Sequence, residues 1–136
     1  MKIELSEKRN INRDQILELY RKNKWSSADK PNELLKALKN SHALISAWDG
    51  DKLVGLANSI SDGYLVVYYP HLLILPEYQG KGIGRMIMNR FQDKYSGFHQ
   101  QILIADGKAI EFYGKCGFVK AGSCEPMWIY KGHDHD

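Results

Sequence analysis

Polar and apolar positions alternate over residues 2–5, which predicts a short first strand. Asn12 then precedes a helical pattern with Gln15 three residues on, the spacing of a capping box, and Ile16, Leu19 and Tyr20 fall on one face. Trp25-Ser26-Ser27 break the pattern. Pro31 suits the first turn of a second helix, where its missing N–H is not needed, and Leu34, Leu35 and Leu38 give that helix an apolar side. The period then shortens. Residues 42–48 and 53–60, joined by Asp49-Gly50-Asp51, predict a β-hairpin. After the Asp62-Gly63 turn comes a long strand region, residues 64–75, in which Pro70 marks a bulge or an edge because it has no N–H for a ladder. A helix over 82–95 with Ile83, Met86, Ile87 and Phe91 on one face follows, then a strand over 101–105, a helix over 108–115 and a last short strand over 127–130. The order β-α-α-β-β-β-α-β-α-β predicts an α+β layered fold, one domain over residues 1–136, around a mixed sheet.

Composition narrows the setting. The chain has 136 residues, 43% hydrophobic and 26% charged, an ordinary globular mix. The first ten residues have no apolar stretch of the secretory kind, and no run approaches the ~20 apolar residues that cross a bilayer. These features predict a cytoplasmic protein without a membrane partner. The net charge of +3 suits a small anionic ligand, and the basic residues alternate with acidic ones rather than forming the dense patch nucleic acid requires. Cys116 and Cys124 read as free thiols. The tail His133-Asp134-His135-Asp136 contains no evident tetrahedral ligand set, so no metal is expected.

The candidate chemistry lies in Leu75-Pro76-Glu77-Tyr78-Gln79-Gly80-Lys81-Gly82-Ile83-Gly84-Arg85, which joins a strand to an amphipathic helix. Glycines at every second position let the backbone bend sharply and approach a ligand. Several N–H groups can then face one concavity, backed by the positive end of the helix dipole, which makes a phosphate or pyrophosphate site. Lys81 and Arg85 add charge at its rim. A dinucleotide fingerprint fits less well, since Arg85 stands where its third glycine belongs. A Walker loop fits less well too, since Gly82 follows Lys81 where Ser or Thr is needed.

Gln79-Gly80-Lys81-Gly82-Ile83-Gly84, preceded by the strand end Leu72 to Gln79, resembles the Gln/Arg-x-x-Gly-x-Gly/Ala motif of the GNAT acetyltransferases. The segment from Ala109 to Phe118, with Tyr113 inside it, is similar to a second motif of the same family. Within it, Val54-Gly55-Leu56-Ala57, Ala105-Asp106-Gly107-Lys108 and Met127-Trp128-Ile129-Tyr130 resemble small arylalkylamine-type members. The resemblance implies a mostly antiparallel sheet with a splayed pair of parallel strands and about four helices. It also implies acetyl-CoA as cosubstrate, with pantetheine along Leu73, Ile74 and Leu75 and the pyrophosphate held by residues 79–85, that is Gln79, Gly80, Lys81, Gly82, Ile83, Gly84 and Arg85, with Phe112 beside them. A homodimer is implied as well.

The implied activity is direct transfer of an acetyl group from sulfur to a primary amine. An alkylamine has a pKa of ~10.4 and must shed a proton before it attacks. Tyr113 matches the family's general acid for the departing thiolate; a core tyrosine is the competing reading. Asp106 stands where many members carry Asn, and reads either as the general base or as the first residue of an Asp-Gly turn. A strand N–H near Ile74 would hold the oxyanion. Tyr69 and His71, two apart on one strand, are expected to share a face toward the acceptor, with His71 a second candidate base. Trp25, in the loop between the first two helices, would lie over the acceptor, with Tyr64, Tyr68 and Trp128 adding aromatic surface. Asp62, Glu77 and Glu125 are candidate partners for a cation. An arylalkylamine suits this set; a polyamine, a protein lysine, and a catalytically silent CoA-binding module remain as alternatives.

Overall fold

A computed structural model describes residues 1–134. The chain runs β1 (Ile3–Ser6), α1 (Arg13–Lys22), α2 (Pro31–Lys39), β2 (Ala43–Asp49), β3 (Lys52–Ser61), β4 (Val66–Ile74), α3 (Ile83–Lys94), β5 (Gln100–Ile102) and α4 (Ala109–Lys115), with 3₁₀ turns at Ser26–Asp29 and Pro76–Tyr78. The five strands form one sheet in sequence order. β1 through β4 pair antiparallel and β4 pairs parallel with β5. This is the mixed, mostly antiparallel α+β sheet that the resemblance implied, with the parallel pair at the edge among the described residues rather than in the centre.

Local chemistry explains most boundaries. Asn12 caps α1, its side chain accepting from the Gln15 N–H at 3.0 Å. Gln15 does not reach back to complete the capping box. Its side chain instead accepts from the Leu53 N–H and donates to the Asp51 carbonyl, tying α1 to the β2–β3 hairpin. Pro31 opens α2 as expected. The strand expected from residue 64 starts at Val66, because one oxygen of Asp62 accepts from the N–H groups of Tyr64, Leu65 and Val66 and holds them in a turn. On α3, Met88 rather than Met86 joins Ile83, Ile87 and Phe91 in the core. The predicted strand over 127–130 does not form, and β5 ends at Ile102, three residues short of the expected limit.

α1 packs on β3 and β4, and α3 packs on β2, β3 and β4. With helices over both faces, β3 is buried along nearly its whole length from Leu53 to Ser59. Leu19, Tyr20, Ile45, Leu56, Ile87 and Phe91 are among the side chains enclosed completely.

The sheet breaks its own regularity at Pro70. Between the pairs Asn58–His71 and Ile60–Tyr68, Ser59 alone opposes both Tyr69 and Pro70. This is the bulge expected of a proline in a strand. The His71 N–H beyond it bonds the buried Asn58 side chain at 3.1 Å, and Asn58 in turn donates to the Ser41 hydroxyl. The extra residue shifts the alternation by one, so Tyr69 packs on Phe91 of α3 while His71 packs on Tyr20 of α1. The expectation that Tyr69 and His71 share a face is therefore wrong, and the bulge between them is the reason.

α4 is held to α3 at one close contact. A Cβ built on Gly84 would lie 3.1 Å from the Phe112 ring, whereas one on Gly114 would meet nothing within 4 Å. Gly84→Val should lower stability by about 1–3 kcal/mol through overpacking. Gly114→Ala should raise it by ~0.5–1 kcal/mol through helix propensity. Urea midpoints of the two variants check this pair.

Candidate active site

The strand β4 outlives its partner. Parallel pairing runs from Val66–Gln100 to Tyr68–Ile102 and stops there, while β4 continues to Ile74. The Leu75 N–H donates to the Val54 carbonyl at 2.8 Å with Gly55 opposite Ile74. In an antiparallel ladder that register directs the main chain of Leu73 and Leu75 at β3, and the main chain of Leu72 and Ile74 away from it into the splay. The side chains of Leu73 and Leu75 are buried in the core. Of the three residues expected along pantetheine, only Ile74 offers main chain on the open side, and there only its N–H, since its carbonyl accepts from Asn23 and Gln79. Leu72, which the sequence reading omitted, offers it as well. Its signal was Pro70, whose bulge resets which residues face outward.

The loop after β4 is fixed before it turns. The Gln79 N–H donates to the Pro76 carbonyl, and its side chain donates to the Ile74 carbonyl at 3.1 Å and to Asn23 at 3.3 Å. Asn23 also donates to the Ile74 carbonyl at 3.0 Å. Gln79 thus ties the loop to the strand end and to α1, and its donors are spent on the protein. Beyond it, the main-chain N–H groups of residues 80–85 have no acceptor among the described residues, and helical bonding begins with Met86 N–H to Gly82 carbonyl. Gly80 and Gly82 hold φ of 76° and 84°, which L side chains rarely adopt, and a Cβ on either would project into open space. Ile83 buries its side chain and contributes only its amide, while Lys81 and Arg85 are exposed at the rim. A row of main-chain donors at the positive end of a twelve-residue helix fits a diphosphate. Phe112 lies behind this row, against Gly84.

The splay opens into a cleft of about 690 Å³ whose walls include Trp25, Tyr69, His71, Asp106 and Tyr113. All five predicted catalytic and acceptor residues therefore meet at one cavity, Tyr69 and His71 from β4, Tyr113 from α4, Asp106 from the loop before α4 and Trp25 from the position ahead of the Ser26–Asp29 turn. Tyr69 forms a wall, with its hydroxyl donating to Gln101 at 2.6 Å. Asp106 is exposed; its carbonyl accepts from the Ala109 N–H, so it is a turn residue as well as a lining one. Burial pushes the Tyr113 hydroxyl up to about 12, with Cys116 a lesser contributor, so it stays protonated across the working range. His71 Nδ1 lies 2.7 Å from the fully buried Tyr20 hydroxyl, and burial lowers the imidazole from 6.5 to about 4.

Tyr68 and Trp128, expected as aromatic surface, line the cleft, and two further features went unread in the sequence. Tyr130 and Asp134 also line it; the Tyr130 ring stacks on Trp128 at 4.5 Å, and its hydroxyl donates to Asp134 at 2.6 Å. Ser26 bonds Asp134, which brings this segment against the Ser26–Asp29 turn. Ser27 presents a buried hydroxyl with no partner among the described residues, also on the cleft wall. Of the other acidic candidates, Asp62 is in its turn, Glu77 pairs with Lys22 at 3.7 Å and Lys52 at 3.5 Å, and Glu125 is exposed and outside the cleft lining. Tyr64 is exposed on the Asp62 turn, away from the cleft lining. Both cysteines are free, Cys116 buried and Cys124 exposed. Among the described residues no helix is long and apolar enough to cross a membrane, and no group of three metal-binding side chains occurs. Of the acidic tail, His133 and Asp134 are described, while His135 and Asp136 lie outside the described residues.

Comparison with known proteins agrees with this geometry. Residues 7–126 match the GNAT acetyltransferase domain family. The chain is 31% identical over 125 residues to the N-acetyltransferase ycf52 of Pyropia yezoensis, covering 87% of this chain and 71% of that one. It is 29% identical over 131 residues to a spermidine N(1)-acetyltransferase of Vibrio cholerae, covering 90% and 68%. A GNAT family acetyltransferase of Streptococcus pneumoniae superposes with a TM-score of 0.84 at 29% identity, covering 96% of this chain and 99% of that one. The chain belongs to the GNAT acetyltransferase family and is an N-acetyltransferase, an enzyme of a family that uses acetyl-CoA. These relatives lend no support to the narrower arylalkylamine resemblance.

The His71 environment has a consequence for stability. Its folded value near 4 lies below the ordinary 6.5, so between those pH values the unfolded chain binds more protons than the native one. Stability should be full above about pH 6.5 and fall as pH drops toward 4, because over that range the unfolded chain gains a proton at His71 that burial denies the native one. His71→Gln should flatten that stretch of a urea-midpoint-against-pH curve.

Proposed function

We propose that this enzyme transfers the acetyl group of acetyl-CoA to the primary amine of a small cationic acceptor, of which an alkyl polyamine is the preferred class. The observation that carries the reading is the row of main-chain donors at residues 80–85 directly after the unpaired end of β4, whose Leu72 also lines the cleft. Acetyl-CoA supplies the acetyl group already activated as a thioester. The amides of residues 80–85, with Lys81 and Arg85, hold its diphosphate, and the outward main chain of Leu72 and Ile74 guides its arm to the cleft. Tyr113 keeps its proton at neutral pH, donates it to the departing sulfur, and regains one from the nitrogen, which sheds its second proton as the amide forms. Asp106, on the cleft wall, takes the proton of the incoming ammonium, directly or through water.

The acceptor class follows from the lining. Asp106 and Asp134 place two carboxylates on the cleft walls, and no Lys or Arg is among the lining residues. Trp25, Tyr68, Trp128 and Tyr130 supply aromatic faces, which attract a cation and its alkyl stem alike. The Vibrio cholerae relative is named for spermidine. The same rings favour a second reading, an arylalkylamine acceptor.

A CoA-release assay with spermidine, tryptamine and a lysine-containing peptide tests the acceptor; spermidine should give the highest kcat/KM, and a tryptamine preference would establish the second reading instead. Tyr113→Phe should lower kcat by roughly 10²-fold or more while leaving the KM for acetyl-CoA within about twofold. An unchanged kcat would remove Tyr113 from the chemistry.

A further inference from the structure

The Tyr20–His71 pair is the strongest polar arrangement in the molecule that the mechanism above leaves unused. Tyr20 lies on the inner face of α1 with no exposed surface. Its hydroxyl is 2.7 Å from His71 Nδ1, and it has no other hydrogen-bond partner among the described residues. A buried hydroxyl is costly if its proton finds no acceptor. Burial also raises the Tyr20 pKa, so the phenol does not ionise. The remaining arrangement is Tyr20 O–H donating to Nδ1. A neutral imidazole that accepts at Nδ1 carries its hydrogen on Nε2.

Nε2 has no protein partner among the described residues and is not fully enclosed, so it retains surface in the cleft that His71 lines. The ring is held from a second side by the Trp25 ring, whose centroid is 5.1 Å away at 84°, and from behind by the bond between the His71 N–H and Asn58. The imidazole is thus fixed in place, neutral, and oriented with a donor outward. A base in this place would need the opposite tautomer. Among the reacting atoms the departing sulfur is served by Tyr113 and the attacking nitrogen must keep its lone pair for carbon, which leaves the carbonyl oxygen of the acetyl group as the acceptor for this donor.

We propose that His71 acts as a hydrogen-bond donor to the acetyl carbonyl oxygen through Nε2–H, and that Tyr20 is the positioning residue that fixes this tautomer. The inference rests on the acetyltransferase reading of the cleft. No proton is transferred: as negative charge grows on the oxygen during attack the N–H bond to it strengthens, and it relaxes as the thiolate leaves. His71 would act beside the outward N–H of Ile74 rather than in place of Asp106.

Two measurements test it. The tautomer is read in the ligand-free protein from the ¹⁵N shifts of the His71 ring nitrogens at pH 7. Hydrogen on Nε2 is expected in the native chain, and a mixture of tautomers in Tyr20→Phe. Hydrogen on Nδ1 in the native chain would overturn the proposal whatever the enzyme acetylates. Kinetically, His71→Gln keeps an N–H donor and should retain kcat within about tenfold, whereas His71→Leu, of similar volume without the donor, should lose about 10²-fold or more. A base role requires the reverse pattern, with Gln as inactive as Leu, and that result would also overturn the proposal. Absence of turnover in the native chain with every amine would sink the functional reading, and with it the role assigned to the Nε2–H, while leaving the tautomer measurement to stand on its own.

Discussion

A strand forced to abandon its ladder is the constraint on which the site depends. Pro70 contributes no N–H, and the chain accommodates it by setting two residues of β4 against Ser59 alone. β5 separates from β4 just before that point, after Tyr68 and Ile102. The result is a length of strand with polar backbone on one side and no neighbour. Leaving such groups unpaired in an interior costs ~1–3 kcal/mol each, so they are tolerable only where solvent or a ligand reaches them. The same bulge moves His71 to the α1 side while Tyr69 stays on the α3 side, and so builds two walls of the cleft from residues two apart on one strand.

The amide row after β4 extends that logic. Residues 80–85 present donors without acceptors at the start of α3, and the surroundings hold them in that state. Gln79 and Asn23 clamp the strand end, Tyr78 reaches Asp49 at 2.7 Å, and Glu77 sits between Lys22 and Lys52. The ion pairs are half exposed and contribute little individually. Together with the neutral hydrogen bonds they join the loop to α1 and to the β2–β3 hairpin, so the donors are oriented before any ligand arrives. Orientation in advance is what lets weak backbone dipoles act on a diphosphate without a large entropic cost at binding.

Much of this could be read in the chain itself. The cap at Asn12, the turn at Gly50, the proline bulge and the glycine row each follow from residue types with few structural alternatives, and each stands where the pattern put it. The errors came from rules that assume regularity. Alternation along β4 placed Tyr69 and His71 together because the phase shift at Pro70 was recognised but not carried forward. The last strand was expected over Met127-Trp128-Ile129-Tyr130, yet Trp128 and Tyr130 stack on each other and face the cleft. Tyr20 looked like one more apolar position of α1. Its bond to His71 spans 51 residues and left no trace in local sequence.

The central claim is that the free amides of residues 80–85 receive the diphosphate of CoA. Backbone ¹H–¹⁵N spectra recorded while CoA is added measure this at each residue. The account predicts the largest shifts at residues 80–85, saturating together, with Gln79 moving less because its N–H already serves Pro76. Saturable CoA binding that leaves those six signals in place would contradict it.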